Sequence, residues 1–232
     1  MIRLDMSEYQ EKRSLRKIIG ARTETGHSQG YLTQAIKRQP HSLILLDELE
    51  KAHPDILNLF LQVMDEGRLT NAAGETINFT STILIATSNA GTKFIQDQIS
   101  QNVDYEKINK ELKERVLLQY FSPEILNRFD GLILFKPLTM ENMLEITEIF
   151  LNQVRQRLEK KGVLFEIEEE ALREIALAGY DPLYGARPLQ RVIQEKINDE
   201  LAKLFLEDKV QRRDKVVMKK GGSFEIIKGR RL

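Results

Sequence analysis

The stretch "SLILLDELEKAHPD", residues 42 to 55, joins a run of four aliphatic residues to an acidic pair and an amphipathic continuation. A continuous apolar run of this length is typical of a strand covered on both faces in a parallel sheet. The segment "DILNLFLQVMDEG" then carries one apolar helical stripe, and Gly67 marks its end. The stretch therefore predicts a strand followed by a helix, the repeating unit of an α/β sheet.

Neighbouring segments repeat the strand pattern. "STILIATSNAG", residues 81–91, is an apolar run that ends in polar residues, and "GLILFKP", residues 131–137, is an apolar run closed by proline. "MIRLDMSEY" alternates apolar and polar residues and predicts a strand that leaves the sheet at Asp5. "RLTNAAGETINF" predicts a hairpin with Gly74 in its turn, whereas residues 20–30, with three glycines and no apolar period, predict a loop. Strands that alternate with helices predict an α/β fold, with a parallel sheet and helices on both faces.

The pattern changes after Pro137. Thr139 can cap a long amphipathic helix, "EEALREIALAGY" predicts a second helix, and a third begins at about Pro188. "DKVVMKK" and "SFEIIKG" predict a closing pair of strands. We therefore predict two domains, an α/β domain over residues 1–137 and a small, mostly helical domain over residues 138–232.

The composition limits the classes of function. Among 232 residues, 35 Lys and Arg balance 35 Asp and Glu, so charge gives no reason to expect nucleic acid or an anionic membrane as the main partner. Without cysteine, disulfides and thiolate metal sites are excluded, and His27, His41 and His53 lack the spacing of a zinc site. The apolar runs are far shorter than the roughly 20 residues of a membrane helix, and no signal peptide is evident. We expect a cytoplasmic location.

Asp47 and Glu48 stand where ligands of an open parallel sheet bind, directly after a predicted buried strand. One carboxylate of such a pair can hold a hydrated Mg²⁺ while its neighbour orients an attacking water. Acids at this position also interact favourably with the positive end of the following helix dipole. The stretch by itself leaves both interpretations open.

Three further polar residues are candidates for the same site. Asn89 ends the second buried strand, where its amide can hold a water or a phosphate, although an ordinary turn also explains it. Arg128 can reach a phosphate bound by a neighbouring subunit, and its alternative role is an ion pair with Asp130 or Glu124. Arg187 stands at a predicted helix start, where positive charge is unfavourable unless an anion binds, and its alternative is a solvated surface arginine.

Five motifs occur in one order over nearly the whole chain: "RLDMSEY", "LILLDELEKAHPDILNLFLQVMDEGRLT", "TSNAG", "PEILNRFD" and "GYDPLYGARPLQRVIQ". In these motifs the chain resembles the AAA+ family, and specifically the second nucleotide-binding domain of the Clp-type ring ATPases, the ClpB, ClpC and ClpA group. The resemblance implies ATP and Mg²⁺ as cofactors. It implies a Walker B pair in which Asp47 supports Mg²⁺ through water and Glu48 activates the attacking water. It further implies that Asn89 is sensor 1, Arg128 the arginine finger and Arg187 sensor 2.

The resemblance also implies a function. It points to part of an ATP-dependent protein unfoldase or disaggregase chaperone, which forms a homo-hexameric ring and remodels unfolded or aggregated proteins. Two alternatives stay open: a ring-assembly or regulatory module without ATPase activity, and the unfoldase subunit of a Clp protease. A DNA-directed AAA+ motor is disfavoured by the neutral charge and by "GYDPLYGARPL".

Three departures from the family pattern modify these expectations. No GxxxxGK followed by Ser or Thr occurs in the sequence, so we expect a fragment or truncated copy with little or no ATPase activity alone. The segment before "LTQAI" lacks the family's glycine-flanked aromatic turn, and Tyr31 is expected to pack against the helix rather than grip substrate. Residues 92–121 contain no glycine, whereas the family's peptidase-docking tripeptide is centred on one, so docking to a Clp peptidase is not favoured.

Overall fold

A computed structural model describes residues 1–23, 26–181 and 184–229. The chain divides into two compact units, Met1–Leu134 and Phe135–Leu232. The predicted fold class is confirmed, because the first unit contains a parallel sheet with helices and the second is mostly helical. That residues 1–137 and 138–232 are separate domains stays a prediction.

Strands and helices alternate through most of the first unit. Its strands are β1 (Ile2–Asp5), β2 (Gly20–Thr23), β3 (Gly26–Gln29), β4 (Leu43–Asp47), β5 (Arg68–Thr70), β6 (Thr76–Asn78) and β7 (Ile83–Ala86). Its helices are α1 (Leu15–Ile19), α2 (Tyr31–Arg38), α3 (Pro54–Glu66), α4 (Thr92–Ser100), α5 (Tyr105–Glu111) and α6 (Pro123–Arg128). A π-helical turn, Leu112–Val116, extends α5.

The central sheet of the first unit has the order β1-β4-β7, and both pairings are parallel. Its register places Asp5 opposite Asp47 and Leu46 opposite Ala86. The carboxyl ends of all three strands therefore meet at one edge of the sheet. This is the edge at which open α/β sheets bind their ligands.

The two faces of this sheet differ in burial. On one face Leu4, Ile44 and Leu46 are at most 1% exposed and join the hydrophobic core of the first unit. On the other face Ile83 is 64% and Ile85 44% exposed. Strands β4 and β7 were correctly predicted. They were expected to be buried on both faces, but only one face is buried.

Helix α3 ends where the sequence predicts, and it begins one residue before the predicted segment, at Pro54. His53 caps it, its Nδ1 accepting the Asp55 N–H at 3.1 Å. Gly67 ends it in the left-handed region at φ 62°, and a Cβ there would lie 2.7 Å from Thr80 Cγ2. The residues it contributes to the core are Ile56, Leu59, Phe60 and Val63.

The prediction of a loop over residues 20–30 is wrong. β2 and β3 pair as an antiparallel hairpin, and its residues 24 and 25 lie outside the described residues. Cross-strand backbone bonds satisfy both strands, so an exposed polar hairpin needs no apolar period. Gly20 permits the pairing, because at φ 88° a Cβ would approach the Ser28 carbonyl oxygen to 2.3 Å. The predicted hairpin around Gly74 is confirmed as β5 and β6.

The predicted strand over residues 131–137 is also wrong. This segment lies within the described residues and forms no strand, and Ile133 is 80% and Phe135 86% exposed. A strand needs a neighbour to accept its backbone hydrogen bonds, and an apolar run alone does not supply one.

The second unit packs helices against a small sheet. Its helices are α7 (Met140–Lys160), α8 (Glu169–Ala178), α9 (Leu189–Ile193) and α10 (Asp199–Leu206), with a π-helical turn, Gln194–Asn198, joining the last two. Its strands are β8 (Leu164–Ile167), β9 (Lys215–Met218) and β10 (Phe224–Ile227), in the order β10-β9-β8. Thr139 caps α7 with a capping box, as predicted. The predicted closing pair of strands is confirmed, whereas β8 was not predicted.

Among the described helices, none combines the length and apolarity needed to cross a membrane.

Candidate functional site

The ends of β4 and β7 carry a hydrogen-bonded group that we call the strand-end cluster: Asp47, Glu48, Glu50, Thr87 and Asn89. The Thr87 hydroxyl donates to Asp47 Oδ1 and accepts the Glu48 N–H at 3.2 Å. The Thr87 carbonyl also accepts the Leu49 N–H at 2.9 Å. One threonine at the end of β7 thus fixes the backbone and the first carboxylate of the acidic pair at the end of β4.

Glu48 adopts the left-handed conformation, with φ 56° and ψ 50°. A residue with a Cβ is uncommon in this region, and such strain concentrates at functional sites. The Glu48 carboxylate accepts a hydrogen bond of 2.5 Å from Lys51 Nζ, and this bond, followed by the charge of Glu48, raises the pKa of Lys51. The strained turn thus follows directly on Asp47, and its carboxylate is paired with Lys51.

Asp47 fits a hydrated Mg²⁺ better than a metal held by protein ligands alone. Its Oδ2 pairs with Arg3 at 2.5 Å. Asp5, its neighbour across the strands, is engaged by the hydroxyl and N–H of Ser7, which lower the pKa of Asp5 against the opposing effect of Asp47. The described residues contain no group of three His, Cys, Asp or Glu able to hold a metal. Mg²⁺ usually keeps several waters and takes one or two carboxylates, so a single Asp47 is a suitable ligand.

Asn89 is tied to the acidic turn through its backbone. Its N–H donates to Glu50 Oε1 at 3.1 Å, and its carbonyl accepts the Thr92 hydroxyl at 2.7 Å. The Asn89 residue is exposed. The fold thus brings Asp47, Glu48 and Asn89 to one edge of the sheet; their catalytic roles stay predictions.

Arg128, at the end of α6, pairs with Asp65 near the end of α3. The expected alternative partners were Asp130 and Glu124, and neither forms the ion pair with it in the described structure. The side chain of Arg128 is 52% exposed, so it lies at the surface of the first unit. Long-range contact between α3 and α6, which sequence spacing does not reveal, selects the partner.

Arg187 belongs to the second unit. It is exposed and precedes α9, and its side chain has no ion pair within the described residues. It lines an open groove of about 910 Å³ between α7 and the α9–α10 run. The groove walls also include Phe150, Val154, Arg157, Lys160, Arg191, Ile193 and Asn198. Two residues of its motif, 182 and 183, lie outside the described residues.

Sequence reasoning missed several members of this site. Thr87 is two residues before Asn89, and the polar end of "ILIATSN" was the available signal. Glu50 is the third acid of "DELE", and its reach to Asn89 depends on tertiary structure. The prediction that Tyr31 packs against the helix is open, since Tyr31 begins α2 and is 53% exposed.

Comparison with known proteins assigns the family. Residues 1–132 match the model described as AAA domain (Cdc48 subfamily), and residues 138–218 match the C-terminal, D2-small domain, of ClpB protein. The chain belongs to the AAA+ family, as a ClpB-type D2 domain. Membership in this family implies nucleotide binding.

Several curated relatives are named "Chaperone protein ClpB". The relative from Wolinella succinogenes is 44% identical over 219 residues, which are 94% of this chain and 25% of that protein. The relative from Meiothermus ruber is 46% identical over 212 residues, 90% of this chain and 25% of that protein. The relative from Aquifex aeolicus is 43% identical over 236 residues, 98% of this chain and 23% of that protein. The AAA+ chain thus spans about a quarter of the length of these ClpB relatives.

Proposed function

We propose that this chain is part of an ATP-dependent Clp-type disaggregase, in which it forms much of the second nucleotide site. The observation that carries the proposal is the strand-end cluster, in which Thr87 joins Asp47 to the Glu48 turn and Glu50 joins that turn to Asn89. The relatives named "Chaperone protein ClpB" support a chaperone role.

Three residues of the cluster, Asp47, Glu48 and Asn89, have chemical roles suited to phosphoryl transfer. Asp47 would hold a hydrated Mg²⁺, which supplies positive charge to the phosphate oxygens. Glu48 would accept a hydrogen bond from the attacking water and orient it, and the Asn89 amide would hold the same water or the terminal phosphate. Lys51, paired with Glu48, keeps a positive charge next to that carboxylate.

The two arginines would complete the site from other directions. Arg128, on the surface of the first unit, would stabilise charge on a nucleotide bound by a neighbouring subunit. Arg187, exposed before α9, would contact the nucleotide from the second unit and report its state. The role of Arg128 requires a neighbouring copy of the chain, and we propose a homo-hexameric ring that acts on unfolded or aggregated proteins in the cytoplasm, without nucleic acid or membrane.

The missing phosphate-loop motif defines the test. We expect the purified chain to show little or no ATP turnover, because no GxxxxGK segment is present to cradle the phosphates. A fusion that places the corresponding segment of the Meiothermus ruber relative before Met1 is expected to hydrolyse ATP. Glu48→Gln should abolish that turnover while nucleotide still binds, and Asn89→Ala should lower it by roughly 10²-fold or more.

A matched control is Glu66→Gln, since Glu66 is an acid of α3 that pairs with Arg68 outside the cluster. Turnover by the unfused chain that Glu48→Gln abolishes would contradict the proposed dependence on a phosphate loop. Nucleotide binding by the fusion without any turnover would favour the non-catalytic assembly module. DNA binding that weakens with salt would favour a DNA-directed motor, and cross-linking to a Clp peptidase would favour a protease subunit.

A further inference from the structure

Glu50 links two parts of the strand-end cluster that are distant in sequence. It lies in the short helical turn Leu49–Lys51 that follows the acidic pair, and its Oε1 accepts the N–H of Asn89 at 3.1 Å. Its second oxygen, Oε2, is buried and has no hydrogen-bond partner within the described residues. The proposed chemistry of the site does not use this carboxylate.

The unpartnered oxygen argues against a purely stabilising role for Glu50. Withdrawing a carboxylate oxygen from water without a donor costs free energy, which one hydrogen bond to a backbone N–H offsets only in part. An apolar residue at position 50 would avoid this cost. We therefore explain the buried position of the Glu50 carboxylate by the group that it binds, the backbone N–H of Asn89.

The Glu50 carboxylate holds the backbone N–H of Asn89. The carbonyl side of Asn89 is already bonded locally, to the N–H of Thr92 at 3.2 Å and to its hydroxyl at 2.7 Å. The N–H side is bonded to Glu50, which is two residues after the strained Glu48. The two residues proposed to hold the attacking water are thus connected through one carboxylate.

We propose that Glu50 is a positioning residue that fixes the backbone of Asn89 to the Glu48 turn. The side-chain amide of Asn89 and the side-chain carboxylate of Glu48 then keep one relative placement. The chemical meaning of this placement rests on the proposed function. The hydrogen bond between Glu50 and Asn89 does not rest on the proposed function, because it is present in the chain without nucleotide.

Hydrogen exchange of the Asn89 amide in the purified chain tests the hold. Glu50→Ala should accelerate exchange at Asn89 by about tenfold relative to the native chain. Glu50→Gln should restore exchange to near the native rate, because its carbonyl oxygen can accept the same N–H. The control Glu66→Ala should leave Asn89 unaffected.

Thermal unfolding separates positioning from stabilisation. Since Glu50→Ala also removes the buried unpartnered oxygen, the thermal midpoint should stay constant or rise while exchange at Asn89 accelerates. Unchanged exchange at Asn89 in Glu50→Ala would overturn the proposal, and so would faster exchange throughout the first unit together with a lower midpoint. If Glu50→Ala does not fold, Glu50→Asp, which lacks the reach of one methylene, is expected to give the same local acceleration.

The ATPase fusion described above then tests the consequence. Glu50→Ala should lower kcat by roughly tenfold or more with little change in KM for ATP, and Glu50→Gln should recover most of the loss. A fusion that is inactive with native Glu50 would count against the proposed function and leave the exchange result standing. An active fusion in which Glu50→Ala keeps the native kcat would overturn the positioning role.

Discussion

Strand β9 of the second unit and strand β4 of the first have similar apolar sequences but different surroundings. In β9, Val216, Val217 and Met218 are all at most 8% exposed, so both faces of the strand are covered. In β4, Ile44 is fully buried while Leu45, on the opposite face, is only partly buried. An apolar run therefore predicts a strand, and the elements packed around it decide how much of the run is buried.

The largest effect should separate the two faces of the first sheet. Ile44→Ala is expected to lower the free energy of unfolding of the first unit by about 2–5 kcal/mol, because it leaves a cavity in the core. Ile83→Ala changes a residue on the exposed face of β7, the strand next to β4, and should lower the free energy of unfolding by less than about 1 kcal/mol. Urea unfolding followed by far-UV circular dichroism measures both. Equal losses would mean that the face carrying Ile83 is covered in solution.

An intermediate effect is expected from a buried carboxylate in the second unit. Asp214 is 3% exposed and accepts hydrogen bonds from the N–H groups of Gly229 and Gln211 and from Lys228 Nζ. The Gly229 N–H, then Lys228 and the Gln211 N–H, lower the pKa of Asp214 from 3.8 to about 2.

The sign of the resulting pH dependence follows from this depressed pKa. The stability that Asp214 contributes is complete above its ordinary pKa of 3.8 and is lost as the pH falls towards about 2. Asp214→Asn should lower the thermal midpoint of the second unit by several degrees at neutral pH and flatten its dependence between these two values. A midpoint that is equally pH-dependent in Asp214→Asn would contradict this assignment.

A smaller effect on stability is expected from the exposed face of the first sheet. The double substitution Ile83→Thr and Ile85→Thr keeps β-branched residues in β7 and should reduce binding of an apolar dye while changing the free energy of unfolding by less than about 1 kcal/mol. The control is Leu164→Thr, which removes a 59% exposed aliphatic from the edge strand β8 of the second unit. Equal loss of dye binding in the control would show that the face of β7 is not a distinct apolar patch.

The smallest effect should come from the ion pair of Arg128 and Asp65. Both side chains are more than a third exposed, so a double-mutant cycle with Arg128→Ala and Asp65→Ala should give a coupling of at most about 0.5–1 kcal/mol. A coupling well above this range would show that Arg128 serves the fold of the first unit, which would weaken its proposed role across a subunit contact.

Local signals predicted the elements that depend on neighbouring residues. The cap at Thr139, the stop at Gly67 and the turn at Gly74 are confirmed because each follows from one or two side chains and the backbone next to them. The hairpin of β2 and β3 was missed because cross-strand pairing supplies its backbone bonds without an apolar signature. Strand β8 was missed although its sequence, "LFEI", is mostly apolar. The segment 131–137 has the signature and lacks the pairing.

The candidate site likewise contains residues that local sequence identified and contacts that depend on distant segments. The sequence placed Asp47, Glu48 and Asn89 at strand ends, since parallel strands present their carboxyl ends at one edge. It did not find Thr87 or Glu50 as connecting residues, and the ion-pair partners offered as the alternative for Arg128, Asp130 and Glu124, are not the observed one, Asp65. These contacts join residues that are far apart in the chain. Thr87 and Asp47 are 40 residues apart, and Asn89 and Glu50 are 39 residues apart.

By itself the sequence determined most of the helices, the strands of the parallel sheet, the family and the residues available for chemistry, because periodicity, capping and motifs are properties of short segments. Only the tertiary structure decided which face of the sheet is covered, which carboxylate holds Asn89 and which acid pairs with Arg128. Those outcomes depend on how distant segments pack, and each side chain bonds the partner that packing brings within reach.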